Sequence, residues 1–340
     1  MDEVISRLNV GSDDVVHMVG IHGIGGIGKS TIARAVYNSI SHHFEGFCCF
    51  LENVRENSRK YGLGHLQQMV LSDILGDEDF KLRNVSNGMP MIEQRLCSKK
   101  VLLVLDDVDK IEQLQAIAGA PNWFGLGSRV IITTRGLGLL KHHEVKRTYE
   151  VEELNDKEAR ELLCWNAFKT DKVDSRYTAI LNRAVGYASR LPLALKVIGS
   201  NLFGKEDDEC TRTLDRYDRF PDKKINDILK VSYDSLEEDE GNVFLDIACF
   251  FNGHKLADVE DILSAHYGVS VKYSIEELIG KSLIKIDGGL MTLHYLIQDM
   301  GREIVRLESP HEPGKRSRLW FCEDVVQVLN ENKVRLILLV

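Results

Sequence analysis

The chain has 340 residues, with 43 Lys+Arg against 52 Asp+Glu and a formal net charge of −9. At roughly 100–200 residues per domain, this length predicts two or three domains. With 44% hydrophobic and 28% charged residues, an ordinary globular core is expected and global disorder is excluded. The acidic balance argues against a protein that coats nucleic acid or an anionic membrane. No apolar run approaches the ~20 residues of a membrane span. The first residues, MDEVISRLNV, carry acids and no continuous apolar stretch, so no signal peptide is expected. The seven cysteines (Cys48, Cys49, Cys97, Cys164, Cys210, Cys249, Cys322) include no CxxC pair, which suits reduced, buried thiols rather than a disulfide frame or zinc site. A soluble, intracellular chain is expected.

The first element in chain order is the run Val15–Ile21, short, β-branched and ended by glycines, as in a buried parallel strand. After Lys29, the residues Ile32, Val36 and Ile40 recur at helical spacing. Val101–Leu105 and Arg129–Thr133 predict two further buried strands. Strands separated by helical stretches imply an α/β domain, a parallel sheet with helices on both faces. From about Tyr149 the strand signals stop. Asn155 with Glu158 three residues on predicts a helix start, and that helix places Ala159, Leu162, Leu163 and Ala167 on one face. Helices around Ile180–Tyr187 and after Pro192 follow, then Asn201–Glu209 as an exposed connection. Ile225–Leu236 and the almost wholly apolar Val243–Phe251 predict two more helices. Ser274 and Glu277 predict the cap of another helix, ending near Ser282, and Leu283–Leu293 reads as a hairpin around Asp287-Gly288-Gly289. Helices followed by one hairpin suggest a winged helix.

Gly23-Ile24-Gly25-Gly26-Ile27-Gly28-Lys29-Ser30 matches GxxxxGK[ST] in full. Glycines let backbone N–H groups turn inward around phosphate oxygens, Lys29 can reach the β- and γ-phosphates, and the Ser30 hydroxyl can ligate Mg²⁺. The following helix adds the positive end of its dipole. Asp106 and Asp107 close the second predicted strand. One carboxylate there can hold the metal and its neighbour can polarise an attacking water. Taken alone, such a pair is as commonly a helix cap. Arg135 closes the third strand and is a candidate γ-phosphate sensor through charge-assisted hydrogen bonds. The paired histidines His42-His43 and His142-His143 are read as solvated.

GIGGIGKST, LVLDDVD, GSRVIITTR, RLPLAL, FLDIACFF and LHYLIQDMGREIV occur in the order seen in the NB-ARC module of plant NLR disease-resistance proteins. These are STAND-class P-loop ATPases similar to animal apoptosome activators. Asp109 and the wording FLENVRENSR and FLDIACFF resemble the TIR-type branch, and the resemblance spans residues 4–330. It implies a P-loop nucleotide-binding domain (1–150), a helical ARC1 domain (151–218) and a winged-helix ARC2 domain (219–330), with 331–340 an atypical apolar tail. In such proteins ADP locks a resting state, exchange for ATP allows ring assembly, and slow hydrolysis resets the switch. Carried over by position, Gly23, Gly25, Gly26, Ile27, Gly28, Lys29, Ser30 and Thr31 hold phosphates. Ser30 and Asp106 serve Mg²⁺, Asp107 is the catalytic base and Arg135 the γ-phosphate sensor. Pro192 sits by the adenine, and His294 touches the ADP β-phosphate.

The implied cofactors are ADP/ATP and Mg²⁺. The implied partners are self-association or pairing with full-length NLR proteins, without nucleic acid, in the cytoplasm or alternatively the nucleus. A winged-helix DNA binder is disfavoured, since residues 221–340 carry a net charge of −7. Arg190 stands where the family has a glycine, Tyr295 where it has the MHD aspartate, Leu293 for methionine, and Gly136 where an aspartate is usual. The chain is expected to lack the family's preceding segment, a TIR domain and leucine-rich repeats. It is accordingly expected to hold ADP poorly, with a truncated regulatory or decoy protein as the alternative.

Overall fold

A computed structural model describes residues 1–12, 14–76, 85–170, 174–219, 222–268 and 271–330; the apolar tail at 331–340 lies outside them. The chain forms two compact units, one of Met1–Gly23 with Ile27–Glu152, the other of Ile24–Gly26 with Glu153–Val340.

In the first unit the elements run α1 (Asp2–Leu8), β1 (His17–His22), α2 (Lys29–Ile40), β2 (Cys48–Leu51), α3 (Val54–Tyr61), α4 (Leu63–Leu75), α5 (Val85–Leu96), β3 (Leu102–Val108), α6 (Ile111–Ala118), β4 (Arg129–Thr134), α7 (Leu137–His142) and β5 (Arg147–Glu150). The strands form one sheet in the order β2-β3-β4-β1-β5, and every pairing is parallel. Register aligns Leu103 with Val130 and Val104 with Ile131, and Val19 with Ile131. Leu103, Leu105, Val130 and Ile132 pack with Val70, Ile92, Leu96, Leu114 and Ile117 in one core. Burial on both faces explains the unbroken apolar runs of β1, β3 and β4. The edge strand β5 has no such run: it is Arg-Thr-Tyr-Glu and none of its residues is fully buried, while the other edge strand, β2, is Cys-Cys-Phe-Leu with only alternate residues buried.

Two connections in this unit are unusual for their polarity. Arg129, fully buried, donates from Nη1 to Val15 O at 3.1 Å and from Nη2 to Asn9 O at 2.6 Å. One side chain thus satisfies carbonyls that follow α1, where the chain would otherwise bury unpaired acceptors. His143 Nε2 lies 2.8 Å from Ala118 O and its ring is half-buried, so this histidine is a packing residue rather than a solvated one. His42 and His43 are exposed.

The second unit is built from α8 (Asp156–Phe168), α9 (Thr178–Ala188), α10 (Pro192–Leu202), α11 (Asp207–Arg219), α12 (Lys223–Tyr233), α13 (Glu238–Asp246), α14 (Leu256–Tyr267), α15 (Val271–Gly280), the hairpin β6 (Lys285–Asp287) and β7 (Leu290–Thr292), α16 (Tyr295–Glu308) and α17 (Cys322–Asn330). Asn155 and Glu158 form the expected reciprocal cap, Glu158 N donating to Asn155 Oδ1 at 3.0 Å and Asn155 N to Glu158 Oε2 at 3.1 Å. Gly288 and Gly289 take φ 56° and 81°, the pair of left-handed residues that a two-residue hairpin turn requires.

Three sequence expectations are corrected here. Ser274 is buried inside α15 and is not the N-cap of that helix, which already includes Val271. The connection between α10 and α11 is only Phe203–Glu206, since Asn201 and Glu209 lie in helical turns. The apolar Val243–Phe251 is no single α-helix: α13 passes at Ile247 into a π-helical turn to Phe251, and Phe250 is 42% exposed. Among the described residues, no helix is long and apolar enough to cross a membrane.

Candidate functional site

Parallel strands bring their carboxyl ends to one edge of a sheet, where ligands of such sheets bind. At that edge His22 is in register with Thr134, and Val108 with Thr134. The glycine loop leaves β1 there, and α2 begins at Lys29 with Gly28 before it at φ 105°. Gly28 has no side chain to cap the helix, and a Cβ added to it would meet nothing within 4 Å. The start of α2 thus receives no side-chain cap hydrogen bond. Ser30 and Thr31 occupy the second and third positions of α2.

Lys29 is only 8% exposed, and its Nζ donates to Gly23 O at 2.9 Å. Burial, then the Arg135 guanidinium, drive its pKa from 10.5 down to about 7; Asp107 and Asp106 oppose the shift and Arg55 adds to it. An ammonium so desolvated is poised to gain from an anion.

The strand carrying the aspartates runs past them. β3 extends to Val108, and its pairing with β4 slips between Leu105 and Val108. Asp107 takes φ 58°, a left-handed conformation that aspartate tolerates better than most residues. The irregularity separates the two carboxylates. Asp106, 5% exposed, accepts from Thr133 Oγ1 at 2.6 Å, while Asp107 N donates to the same Thr133 oxygen at 2.8 Å. Thr133 thus orders both residues. Asp107 Oδ2 lies 2.8 Å from Arg55 Nη2, and its Oδ1 lies 4.0 Å from Arg135 Nε. Gly136 stands before α7 with no side chain to cap it.

The family model described as the NB-ARC domain matches residues 1–173. The chain belongs to the NB-ARC family. A second model, described as the winged-helix domain of a Roq1-like disease resistance protein, matches residues 237–309. Among curated relatives, Disease resistance protein RUN1 of Vitis rotundifolia is 44% identical over 332 residues, which are 97% of this chain and 25% of that one. TMV resistance protein N of Nicotiana glutinosa is 39% identical over 98% of this chain and 29% of its own. The chain therefore spans about a quarter of the length of these relatives. A Walker-type ATPase of Pyrococcus abyssi has the same fold with a TM-score of 0.57, 15% identity and coverage of 88% of this chain and 94% of that one.

In this NB-ARC chain the first unit brings together Gly23, Ile27, Gly28, Lys29, Ser30, Thr31, Asp106, Asp107 and Arg135. Gly25 and Gly26 cluster with the second unit, where Leu193 N donates to Gly26 O at 3.1 Å. Gly26 has φ 79°, and a Cβ there would sit 2.6 Å from Leu193 Cβ, so only glycine fits. Pro192 is the first residue of α10, where its fixed φ and missing N–H cost nothing.

His294 stands before α16. Its Nδ1 accepts from Leu296 N at 3.1 Å, which leaves Nε2–H to donate to Ser189 O at 3.3 Å. Burial lowers its pKa from 6.5 despite Glu153, whose Oε1 is 3.7 Å away, so the imidazole is neutral at pH 7. Arg190 keeps the backbone that a glycine would take, at φ 59°. Its side chain reaches Glu153 at 3.1 Å and Asp156 at 3.4 Å. Tyr295 is 45% exposed and meets the Tyr187 ring edge-on at 6.2 Å.

Sequence reasoning missed Arg55, Thr133 and Glu153. Thr133 and Arg55 lay inside quoted motifs, and the i,i+4 pair Arg55/Arg59 on a helix was the available signal. Nothing in the sequence pointed to Glu153.

Proposed function

We propose that this NB-ARC chain is the nucleotide-binding switch module of a plant defence protein. In this reading ADP holds the resting form, ATP the active one, and slow hydrolysis resets it. The observation that carries the reading is Lys29, buried, held toward Gly23 O and depressed to about 7 beside Arg135 and Arg55 at the start of α2. A phosphate beside such a lysine would favour its charged form.

Gly23, Gly25, Gly26, Ile27, Gly28, Lys29, Ser30 and Thr31 would line the phosphates, with Pro192 by the base and His294 toward the β-phosphate. The Ser30 hydroxyl and the buried Asp106 carboxylate form an oxygen-only donor set, which suits Mg²⁺. The ion would supply neutralisation of phosphate charge. Asp107 would orient the attacking water, and Arg135 would read the γ-phosphate. The division into a P-loop domain (1–150), a helical ARC1 (151–218) and a winged-helix ARC2 (219–330) is part of the same reading, as is a cytoplasmic or nuclear setting with full-length NLR proteins as partners. Tyr295 favours a second reading, a regulatory or decoy form that releases ADP readily, because it replaces the carboxylate beside His294.

Nucleotide identity and occupancy in the purified chain test the proposal, with Lys29→Ala as control. Near-stoichiometric ADP in the parent, lost in the control, supports the switch. ATP in its place points to an activation-biased form. An empty site in a folded protein overturns the switch and leaves the decoy form in front.

A further inference from the structure

Arg55 is a cation that the glycine loop, the aspartate pair and Arg135 leave unexplained. It is the second residue of α3, and its Nη2 lies 2.8 Å from Asp107 Oδ2. One turn on, Arg59 Nη2 lies 2.7 Å from Asp109 Oδ2. Between them Ser58 Oγ accepts from Gln113 Nε2 at 2.8 Å, and Gln113 Oε1 accepts from Asp109 N at 2.9 Å and Lys110 N at 3.1 Å. The α3 backbone is thereby pinned to the exit of β3, and the Arg55 guanidinium is presented at a defined place on the phosphate side of the sheet.

Asp107 is bracketed. Arg55 holds one carboxylate oxygen and Arg135 faces the other at 4.0 Å. Among the described residues, Lys29, Arg55 and Arg135 set three positive charges against Asp106 and Asp107 at this edge. Packing like charges about a buried lysine raises the energy of the empty site, and Arg55 contributes to the depression of Lys29. The Arg55–Asp107 pair is about four-fifths buried, so if Arg55 left Asp107 its guanidinium would need another anion at this edge.

We propose that Arg55 discriminates nucleoside triphosphate from diphosphate. In the empty site it is the ion-pair partner of Asp107. The terminal phosphate of a triphosphate adds negative charge and acceptor oxygens that compete for the guanidinium, and Arg55 leaves Asp107 for them. Asp107 is thereby released for water only when the third phosphate is present. The diphosphate lacks the competing group, so the Arg55–Asp107 pair persists. This rests on the reading that the glycine loop holds nucleotide phosphates.

The test measures dissociation constants of ATP and ADP, each with Mg²⁺, by displacement of a fluorescent nucleotide from the parent, Arg55→Gln and Arg55→Lys chains. Thermal unfolding without nucleotide checks that each variant is folded. Loss of a charge-assisted hydrogen bond predicts ATP binding weakened roughly tenfold or more in Arg55→Gln, with ADP within about twofold of the parent. Arg55→Lys keeps the charge without the planar fork and recovers part of the ATP affinity. Equal losses for both nucleotides, or no loss for either, overturn the role of Arg55 while leaving nucleotide binding intact. A folded parent that binds neither nucleotide overturns the switch reading and this inference with it.

Discussion

Lys29 makes the empty nucleotide site a source of instability with a measurable pH signature. Its pKa falls from 10.5 to about 7 on folding, so between those values the unfolded chain binds more protons, and stability rises with pH. Integrating the linkage gives a cost to the folded state of about 4 kcal/mol at pH 7, falling to about 2 kcal/mol at pH 9. Lys29→Met removes the titrating amine and keeps an apolar stem. It also loses the hydrogen bond to Gly23 O, worth about 1 kcal/mol. The nucleotide-free variant should therefore be more stable than the parent at pH 7 by about 3 kcal/mol. That advantage should shrink by about 2 kcal/mol on going to pH 9, some 4–8 °C in the difference of melting temperatures for a unit of this size. The measurement is denaturant or thermal unfolding of both chains, stripped of nucleotide and magnesium, at pH 7, 8 and 9. Other groups titrating in this range cancel in the comparison. Parallel stability curves would refute the reasoning. ATP or ADP at a thousand times its Kd should reverse the order of stability, since it stabilises the parent by about 4.1 kcal/mol, more than the variant's advantage of about 3 kcal/mol.

Asp246 and Arg318 form a buried pair that Tyr267 joins, its hydroxyl donating to Asp246 Oδ2 at 2.5 Å. Asp246→Ala should cost the second unit about 3–5 kcal/mol by stranding the guanidinium, and a loss below 1 kcal/mol in chemical denaturation would show that water reaches Arg318. Asn155→Ala breaks the cap of α8 and should cost about 1 kcal/mol in the same assay; Asn155→Asp should leave stability unchanged. Tyr295→Asp puts a carboxylate in the first turn of α16 beside His294, and ADP should then leave the chain a few-fold more slowly. Equal off-rates in stopped-flow fluorescence would dissociate Tyr295 from ADP retention.

The glycine loop, the strands entering the site and the helical character of the second half could be read from the sequence because each rests on local physics. The buried central strands β1, β3 and β4 announce themselves as continuous apolar runs, and the loop after β1 by residues that only a phosphate cradle needs. The edge strand β5 carried no such mark, since a half-solvated strand tolerates polar residues, and β2 is apolar but only four residues long. The helix α11 was missed for a related reason: its sequence, DDECTRTLDRYDR, is charged and reads as solvent-facing. The π-turn after α13 and the early start of α15 depend on what packs around them, which no window of sequence contains.

At the site, residue identities were legible and their pairings were not. Asp106 and Asp107 are adjacent in sequence. It took the slipped pairing of β3 with β4, and Asp107 at φ 58°, to give one to Thr133 and the other to Arg55. Arg190 read as an intruder at a glycine position; folded, it keeps the glycine's backbone and spends its charge on Glu153 and Asp156. Arg129 read as the start of a strand, and it serves carbonyls more than a hundred residues away. A motif records the chemistry each residue can perform, because bond types and side-chain charge are local. Which partner each charge meets is decided by chain segments distant in sequence, and only the tertiary structure brings those together.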